Sequence, residues 1–127
     1  MGLHCGVDIV ETERLEKSFS LKGDIFRNKV FTEKEIEYCE AKKAGKYQSY
    51  AARFAAKEAV SKALGTGISG GIGLKDIEVS KDANGRPGVL LSGKAKAVFE
   101  EMQGTDISLS LSHCKSYAVA YCIILTK

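Results

Sequence analysis

The apolar and polar positions near the start of the chain alternate. Its apolar residues are Leu3, Cys5, Val7 and Ile9. Because successive side chains of a strand point to opposite faces, this pattern predicts a strand that buries its odd-numbered side chains. Asp8 then points away from the core near the strand's end, where a carboxylate is well placed to bind a ligand. An aspartate at such a position more commonly begins a turn or a helix.

A helical spacing of apolar residues replaces this alternation from residue 12 onward. It predicts a short amphipathic helix over residues 12–19, and then a turn or two of helix over 25–30. Thr32 followed by Glu35 matches a capping box, which predicts a helix from residue 33 to about residue 44. The first half of the chain is therefore expected to be mainly helical.

Residues 50–67, YAARFAAKEAVSKALGTG, predict the helix around which the rest is organised. Ser49 is a candidate N-cap and Gly65 a candidate left-handed terminator. At about 100° per residue, four alanines share one stripe and so allow another element to approach closely. They are Ala52, Ala56, Ala59 and Ala63. The opposite side carries Phe54, Lys57, Glu58, Ser61 and Lys62. Taken alone, Glu58 and Lys62 form an exposed pair worth at most ~0.5 kcal/mol.

The glycine-rich stretch after this helix matches the spacing G-x-G-x-x-G from Gly65 to Gly70. A dinucleotide site requires a strand before such glycines and a helix after them. Here a helix precedes and more loop follows, which argues against that site. Backbone N–H groups of the loop could still contact a phosphate.

Strand patterns dominate the second half. A hairpin around Asn84-Gly85 joins strands near residues 77–80 and 89–91, and a helix follows Ser92. A strand that ends at His113 precedes residues 117–125, which are apolar on both faces and predict a central strand. We therefore expect one α+β domain over residues 1–127, with helices packed on a mainly antiparallel sheet.

Composition is that of an ordinary globular protein, with 127 residues, 44% apolar and 28% charged. No apolar run approaches the ~20 residues of a membrane span, and the start lacks a signal-peptide pattern. Four cysteines without CxxC spacing favour a reducing cytoplasm and give little support for zinc. The net charge of +3 is too small to indicate a partner, and we expect neither nucleic acid nor membrane to be one.

Two carboxylates that only folding can bring together, Asp8 and Glu58, are the candidate ligands of Mg²⁺. Lys62, one turn beyond Glu58, is placed to neutralise substrate phosphates, and Arg53 and His113 could extend the anion contacts. No nucleophile with an adjacent base is evident, so a serine-histidine-aspartate triad is a weak interpretation. Phosphoryl chemistry between two bound substrates fits better.

Three blocks of the sequence then resemble the holo-acyl-carrier-protein synthases, the short single-domain branch of the 4′-phosphopantetheinyl transferase superfamily. They are GVDIVE at 6–11, RFAAKEAVSKALG at 53–65, and SLSH at 110–113 with YAVA at 117–120. The resemblance covers essentially the whole chain. It implies transfer of the phosphopantetheine arm of coenzyme A to a serine of apo-acyl carrier protein, releasing adenosine 3′,5′-bisphosphate, with a role in fatty acid biosynthesis.

By matching positions, the resemblance implies that Asp8 and Glu58 hold Mg²⁺ on the pyrophosphate of coenzyme A. Lys62 would stabilise phosphate charge, and either Glu58 or a water would take the serine proton. Larger relatives have an acidic ligand where this chain has Val10, so a water would replace that ligand here.

The resemblance further implies a homotrimer with coenzyme A bound between subunits. The expected cofactor contacts are Arg53, Lys62, Gly65, Arg86, Pro87 and His113. A basic surface would dock the acidic carrier protein through Arg14, Lys17, Lys22 and Arg27. Two alternatives stay open: a Mg²⁺-dependent phosphodiesterase or nuclease, and a non-catalytic module that binds coenzyme A or a protein partner.

Overall fold

The computed structural model describes the backbone of residues 1–127 and every side chain except that of Ser69. Ten helices and strands follow one another, with three single turns of 3₁₀ helix between them. In order they are β1 (Gly2–Glu11), α1 (Thr12–Lys22), α2 (Asp24–Val30), α3 (Glu33–Glu40), α4 (Lys46–Ala63), β2 (Ile77–Lys81), β3 (Pro87–Leu91), α5 (Gly93–Glu101), β4 (Gly104–His113) and β5 (Tyr117–Thr126). Among the described helices, none is both long and apolar enough to cross a membrane.

A three-stranded antiparallel sheet in the order β1-β5-β4 forms the base of the fold. Strand β5 lies at its centre, as its apolar sequence predicts. Strands β2 and β3 form a separate antiparallel hairpin. Helix α4 packs across one face of the large sheet and carries more of the buried residues than any other element. The predicted α+β architecture is confirmed.

The orientation of β1 is the reverse of the prediction. Its odd-numbered apolar side chains face away from the helices and are exposed, with Leu3 at 74%, Val7 at 51% and Ile9 at 65%. Gly6 and Val10 are buried instead, on the face toward α4. Asp8 belongs to that same face. The alternation is present as predicted, but the apolar side chains lie on the outer face of the sheet and do not pack on the protein's own core.

Helix α4 differs from its prediction at two points. It begins at Lys46, with Gly45 and not Ser49 as N-cap, and Ser49 lies buried inside the helix. Lys57 and Ser61 are fully buried, and Lys57 is ion-paired with Glu35 at 2.7 Å, so neither belongs to the predicted polar face as an exposed residue. The alanine stripe is confirmed, since all four members are at most 3% exposed. Gly65 has a φ of +86°, as a left-handed terminator requires.

The capping box of Thr32 and Glu35 is confirmed at the start of α3. This helix ends at Glu40, four residues before the predicted end, and a 3₁₀ turn at Lys43–Gly45 leads into α4. Helix α1 is longer than predicted and reaches Lys22, where Gly23 at a φ of +54° stops it. The amide of Gly23 donates to the Phe19 carbonyl there.

Candidate active site

Strand β1 and helix α4 approach each other most closely at Gly6. A Cβ atom at this position would lie 2.1 Å from the Ala59 carbonyl oxygen and 2.8 Å from the Ala63 backbone nitrogen. Only glycine fits against the alanine stripe here, because any side chain would overlap backbone atoms. This close approach sets Asp8, two residues along the strand, beside the charged side of the helix.

Asp8 and Lys62 meet across this contact. The Lys62 Nζ donates to the Asp8 Oδ1 at 3.1 Å and to the Val7 carbonyl oxygen at 3.0 Å. The Asp8 side chain is 19% exposed and that of Lys62 is 50% exposed. Both residues belong to one predicted site, although this direct pair was not predicted, and the half-exposed lysine is still open to solvent and to an anionic ligand.

Glu58 lies near the same pair. Partial burial and the negative charge of Asp8 raise the pKa of the Glu58 carboxyl, and the charges of Lys62 and Arg14 oppose this. Because the charge of Asp8 disfavours ionisation of the Glu58 carboxyl, a cation bound beside the two would stabilise its charged form.

The donor set suits Mg²⁺ held with help from a substrate. Among the described side chains, Asp8 and Glu58 are not joined by a third histidine, cysteine or acid in a metal-binding group. Val10 is 2% exposed within the core and cannot supply a ligand. Mg²⁺ commonly binds through one or two carboxylates, substrate phosphates and water, so the two acids fit it.

A cleft of about 500 Å³ lies on the other side of α4. Helices α3 and α4, the β2–β3 hairpin and β4 enclose it. Its lining comprises Tyr38, Lys42, Gly45, Gln48, Ser49, Ala52, Arg53, Lys81, Gly85, Pro87, Leu109, Ser110, Leu111 and His113. Three of the predicted cofactor contacts, Arg53, Pro87 and His113, are thus brought together.

Cations surround the ring of Tyr38 in this cleft. The Arg53 guanidinium lies 3.8 Å from the ring centroid, the Lys42 Nζ 4.8 Å and the Lys81 Nζ 5.3 Å. Although burial opposes it, these positive groups together lower the pKa of the Tyr38 phenol. The cleft therefore attracts anions. Sequence reasoning missed Tyr38, Lys42 and Lys81, because they come from three separate elements.

The Arg53 side chain is almost fully buried, unlike that of an arginine that contacts an anion at the protein surface. It is 3% exposed, and its Nη1 donates to the Ser49 Oγ at 3.1 Å. Its Nε is buried without a partner in the described structure. This unpaired donor leaves hydrogen-bonding capacity beside the cleft for a bound group.

The cluster of Asp8, Glu58 and Lys62 and the cleft lie on opposite faces of α4. Arg53 and Lys62 are nine residues apart, which at 100° per residue places them about 180° apart around the helix. The lining of the cleft includes neither Asp8, Glu58 nor Lys62. The cluster and the cleft of one chain are therefore separate.

Other predicted residues lie outside both the Asp8–Glu58–Lys62 cluster and the cleft. Arg86 is exposed in the turn between β2 and β3, next to cleft residues Gly85 and Pro87. Gly65 follows the end of α4 and is exposed, three residues beyond Lys62. The predicted docking residues lie on α1 and α2, where Arg14, Lys17 and Lys22 are exposed and Arg27 is half-buried.

Comparison with known proteins gives the family. Residues 4–122 match the model of the 4′-phosphopantetheinyl transferase superfamily. The chain belongs to this superfamily. A holo-[acyl-carrier-protein] synthase of Ruminiclostridium cellulolyticum is 56% identical over 124 residues, which cover 98% of this chain and 92% of that protein.

Solved structures of the superfamily share the fold. The holo-[acyl-carrier-protein] synthase of Neisseria meningitidis matches with a TM-score of 0.86 and 31% identity, covering 97% of this chain and 98% of the other. The Helicobacter pylori enzyme, solved in complex with coenzyme A, matches with a TM-score of 0.83 and 32% identity, covering 95% and 99%. The resemblance of the three sequence blocks to this superfamily is confirmed.

Proposed function

We propose that the chain transfers the 4′-phosphopantetheine arm of coenzyme A to a serine of an apo-acyl carrier protein. The observation that carries this proposal is the meeting of Asp8, Glu58 and Lys62 in a member of this superfamily. Its relatives are named holo-[acyl-carrier-protein] synthases, and related structures hold coenzyme A.

In this reaction the serine oxygen attacks the phosphorus that bears the pantetheine arm. The bond from this phosphorus to the bridging oxygen breaks, and adenosine 3′,5′-bisphosphate leaves with the electron pair. Asp8 and Glu58 would hold Mg²⁺, which when bound neutralises charge on the pyrophosphate. Lys62, which Asp8 orients, adds a positive charge at the same place. The serine proton passes to Glu58 or to a water.

The cleft suits the adenosine end of coenzyme A. Arg53, Lys42, Lys81 and His113 provide positive or hydrogen-bonding groups for the 3′-phosphate, and Pro87 and Leu111 provide apolar surface. Gly65 lies near the Asp8–Glu58–Lys62 cluster and Arg86 near the cleft, and both stay candidate contacts. One molecule of coenzyme A must reach both the cleft and Lys62, which lie on opposite faces of α4 in a single chain. We therefore infer that each site combines two half-sites from different subunits, the cleft of one and the Asp8–Glu58–Lys62 cluster of its neighbour.

An exposed apolar sheet face supports the assembly that this requires. Opposite α4, β1 and β5 present a face that consists of Leu3, Val7, Ile9, Tyr117, Tyr121 and Ile123, each at least 37% exposed. We propose that copies of this chain cover this outer sheet face in a homotrimer. Surfaces of such apolar character mark protein interfaces.

The carrier protein would dock on the surface that α1 and α2 present. Leu21 and Ile25 are 83% and 78% exposed, and the predicted basic residues lie on the same two helices. Lys17 pairs with Glu13 at 3.5 Å and Arg27 with Asp24 at 3.4 Å, so these two are partly neutralised. Arg14 is near enough to Glu58 to lower its pKa. This docking surface therefore borders the catalytic carboxylates.

The proposal is tested by incubating the protein with coenzyme A, Mg²⁺ and an apo-acyl carrier protein, and weighing the carrier by mass spectrometry. A gain of one phosphopantetheine unit is expected. A phosphodiesterase or nuclease would release product to water, and a binding module would leave coenzyme A intact. No mass gain on a carrier that another synthase modifies would contradict the proposal. A role in fatty acid biosynthesis and a cytoplasmic location stay predictions.

A further inference from the structure

Lys57 is a buried charged residue to which the proposed reaction gives no role. Its side chain is 0% exposed, and three acceptors satisfy its ammonium group. Nζ contacts the Glu35 Oε1 at 2.7 Å, the Ile77 carbonyl at 2.6 Å and the Leu74 carbonyl at 3.0 Å. A buried ion pair of this kind contributes little net stability compared with apolar residues of similar size. Stability alone therefore does not explain why the pair is present.

Glu35 completes the network from the other side. Its Oε2 accepts the Val79 N–H at 2.8 Å, and its Oε1 also accepts the Thr32 N–H at 2.9 Å. Thr32 in turn donates its hydroxyl to Glu78 at 2.6 Å. The ion pair thus joins α4 and the start of α3 to strand β2.

These contacts satisfy the backbone groups on the edge of β2 that does not face β3. Strand β2 has β3 as its only partner in the described sheet. On its other edge the Ile77 carbonyl accepts from Lys57 and the Val79 N–H donates to Glu35. An edge strand leaves such groups unpaired unless something covers them. Here a charged pair supplies one donor and one acceptor at the positions where a neighbouring backbone would supply them.

The hairpin that is held in this way forms one wall of the cleft. Lys81 lies at the end of β2, Gly85 in the turn and Pro87 at the start of β3, and all three line the cleft. The hairpin is not hydrogen-bonded into the large sheet. Packing against β4 and the core also holds the hairpin, but the side-chain hydrogen bonds that fix its position relative to Arg53 are those that tie β2 to α3 and α4.

We propose that Lys57, with Glu35, is a positioning residue that holds the β2–β3 hairpin in place to form the nucleotide cleft. Helix α4 then fixes both half-sites, one through Glu58 and Lys62 and the other through Lys57. This inference rests on the proposed function, because it takes the cleft as the site for the adenosine end of coenzyme A.

The test is a steady-state comparison of the double variant Lys57→Met/Glu35→Met with the unaltered chain. Replacing both partners avoids an unpaired buried charge. We expect the KM for coenzyme A to rise about tenfold, with kcat and the KM for the carrier within about twofold. The Val79 amide should also exchange with deuterium faster relative to amides of β5.

Two further variants keep the test decisive. Tyr50→Phe removes another buried hydrogen bond, from the Tyr50 hydroxyl to Glu40, without touching the hairpin, and should leave the KM for coenzyme A unchanged. Glu35→Asp is milder, because it keeps the charge opposite Lys57 and only shortens the reach toward Val79, and we expect it to raise that KM about threefold if the double variant does not fold.

An unchanged KM for coenzyme A in folded Lys57→Met/Glu35→Met, or in Glu35→Asp where the double variant does not fold, would overturn the inference and leave the pair a purely structural feature. A chain with unaltered sequence that transfers nothing to the carrier would instead overturn the proposed function. The two failures are distinct, because the first requires an active unaltered protein.

Discussion

Gly6 faces the Ala59 carbonyl so closely that a Cβ on the glycine would lie 2.1 Å from the oxygen. This contact sets the separation of β1 and α4, and it is the reason that Asp8 reaches Lys62. The alanine stripe and Gly6 together allow this contact, because neither has the larger side chain that would hold β1 and α4 apart.

Gly6→Ala should therefore both destabilise the protein and impair catalysis. Inserting a methyl into a packed contact costs about 1–3 kcal/mol, and the shift of β1 moves Asp8 from Lys62. Thermal unfolding and the transfer rate measure the two effects. Gly73→Ala is the matched control, because its Cβ would meet only ordinary contacts, at 3.5 Å or more from Asp76. Equal behaviour of the two variants would contradict this account of Gly6.

Removing either carboxylate should abolish transfer while the fold survives. We expect Asp8→Asn and Glu58→Gln each to lower kcat by at least about 10²-fold, because the charge that holds Mg²⁺ is halved. Both side chains are partly exposed and sit outside the hydrophobic core, so the melting temperature should change little. Near-normal turnover by either variant would show that the metal assignment is wrong.

The same two residues predict a pH effect. Burial and the charge of Asp8 raise the pKa of Glu58, so Asp8→Asn should lower that pKa. Because the folded pKa lies above the unfolded one, protonation of Glu58 favours the folded state, and this contribution is lost as the pH rises through the folded pKa. An NMR titration of the Glu58 carboxyl without Mg²⁺ measures the shift, with Asp24→Asn as the control. The same pKa in Asp8→Asn and the unaltered chain would contradict the proximity of the two acids.

The sequence predicts those features of the fold and the site that depend on residues close together along the chain. The alanines of α4, the capping box of Thr32 and the Asn84-Gly85 turn were predictable, because each is a short-range pattern with a physical cause. The site residues Asp8, Glu58 and Lys62 came from chemistry and from the resemblance. The structure brings them together as expected.

The incorrect predictions concern residues whose contact partners are distant in the sequence. Periodicity detects the apolar face of β1 but cannot say whether it packs on the chain's own helices or stays outside. Likewise Lys57 reads as an exposed helix residue, because its partners Glu35, Leu74 and Ile77 are distant in sequence. Burial of a lysine depends on such partners, and no local pattern reveals them.

Carrier docking should depend on Arg14 and Leu21. Arg14→Glu should raise the KM for the carrier about tenfold, with kcat nearly unchanged and the effect smaller at high salt. Leu21→Ala should raise the same KM without altering its salt dependence. Lys127→Glu is the control, because this exposed lysine follows the end of β5 that pairs with Gly2, at the opposite end of the strand pair from the start of α1. The docking surface would be wrong if Arg14→Glu and Lys127→Glu had equal effects.

The outer sheet face should control assembly. Tyr121 lies at its centre and is 44% exposed, so Tyr121→Glu would bury a charge in any interface there. We expect the unaltered chain to sediment as a trimer and this variant as a smaller species without transfer activity. Leu90→Glu, which alters an exposed apolar residue of the hairpin at 56%, should remain trimeric. A trimeric, active Tyr121→Glu would show that the interface lies elsewhere.

The most direct test of a site shared between subunits is activity in mixed assemblies. One variant, Glu58→Gln, loses the catalytic half-site, and the other, Lys42→Glu/Lys81→Glu, loses the nucleotide cleft through two exposed residues. Each should be inactive alone at coenzyme A concentrations near the KM of the unaltered chain. After the two are dissociated together and reassembled in equal amounts, random association should restore about a quarter of the unaltered activity, because about one site in four receives both intact halves. If activity does not return in mixed assemblies of the correct size, each site lies within one chain and the account is contradicted.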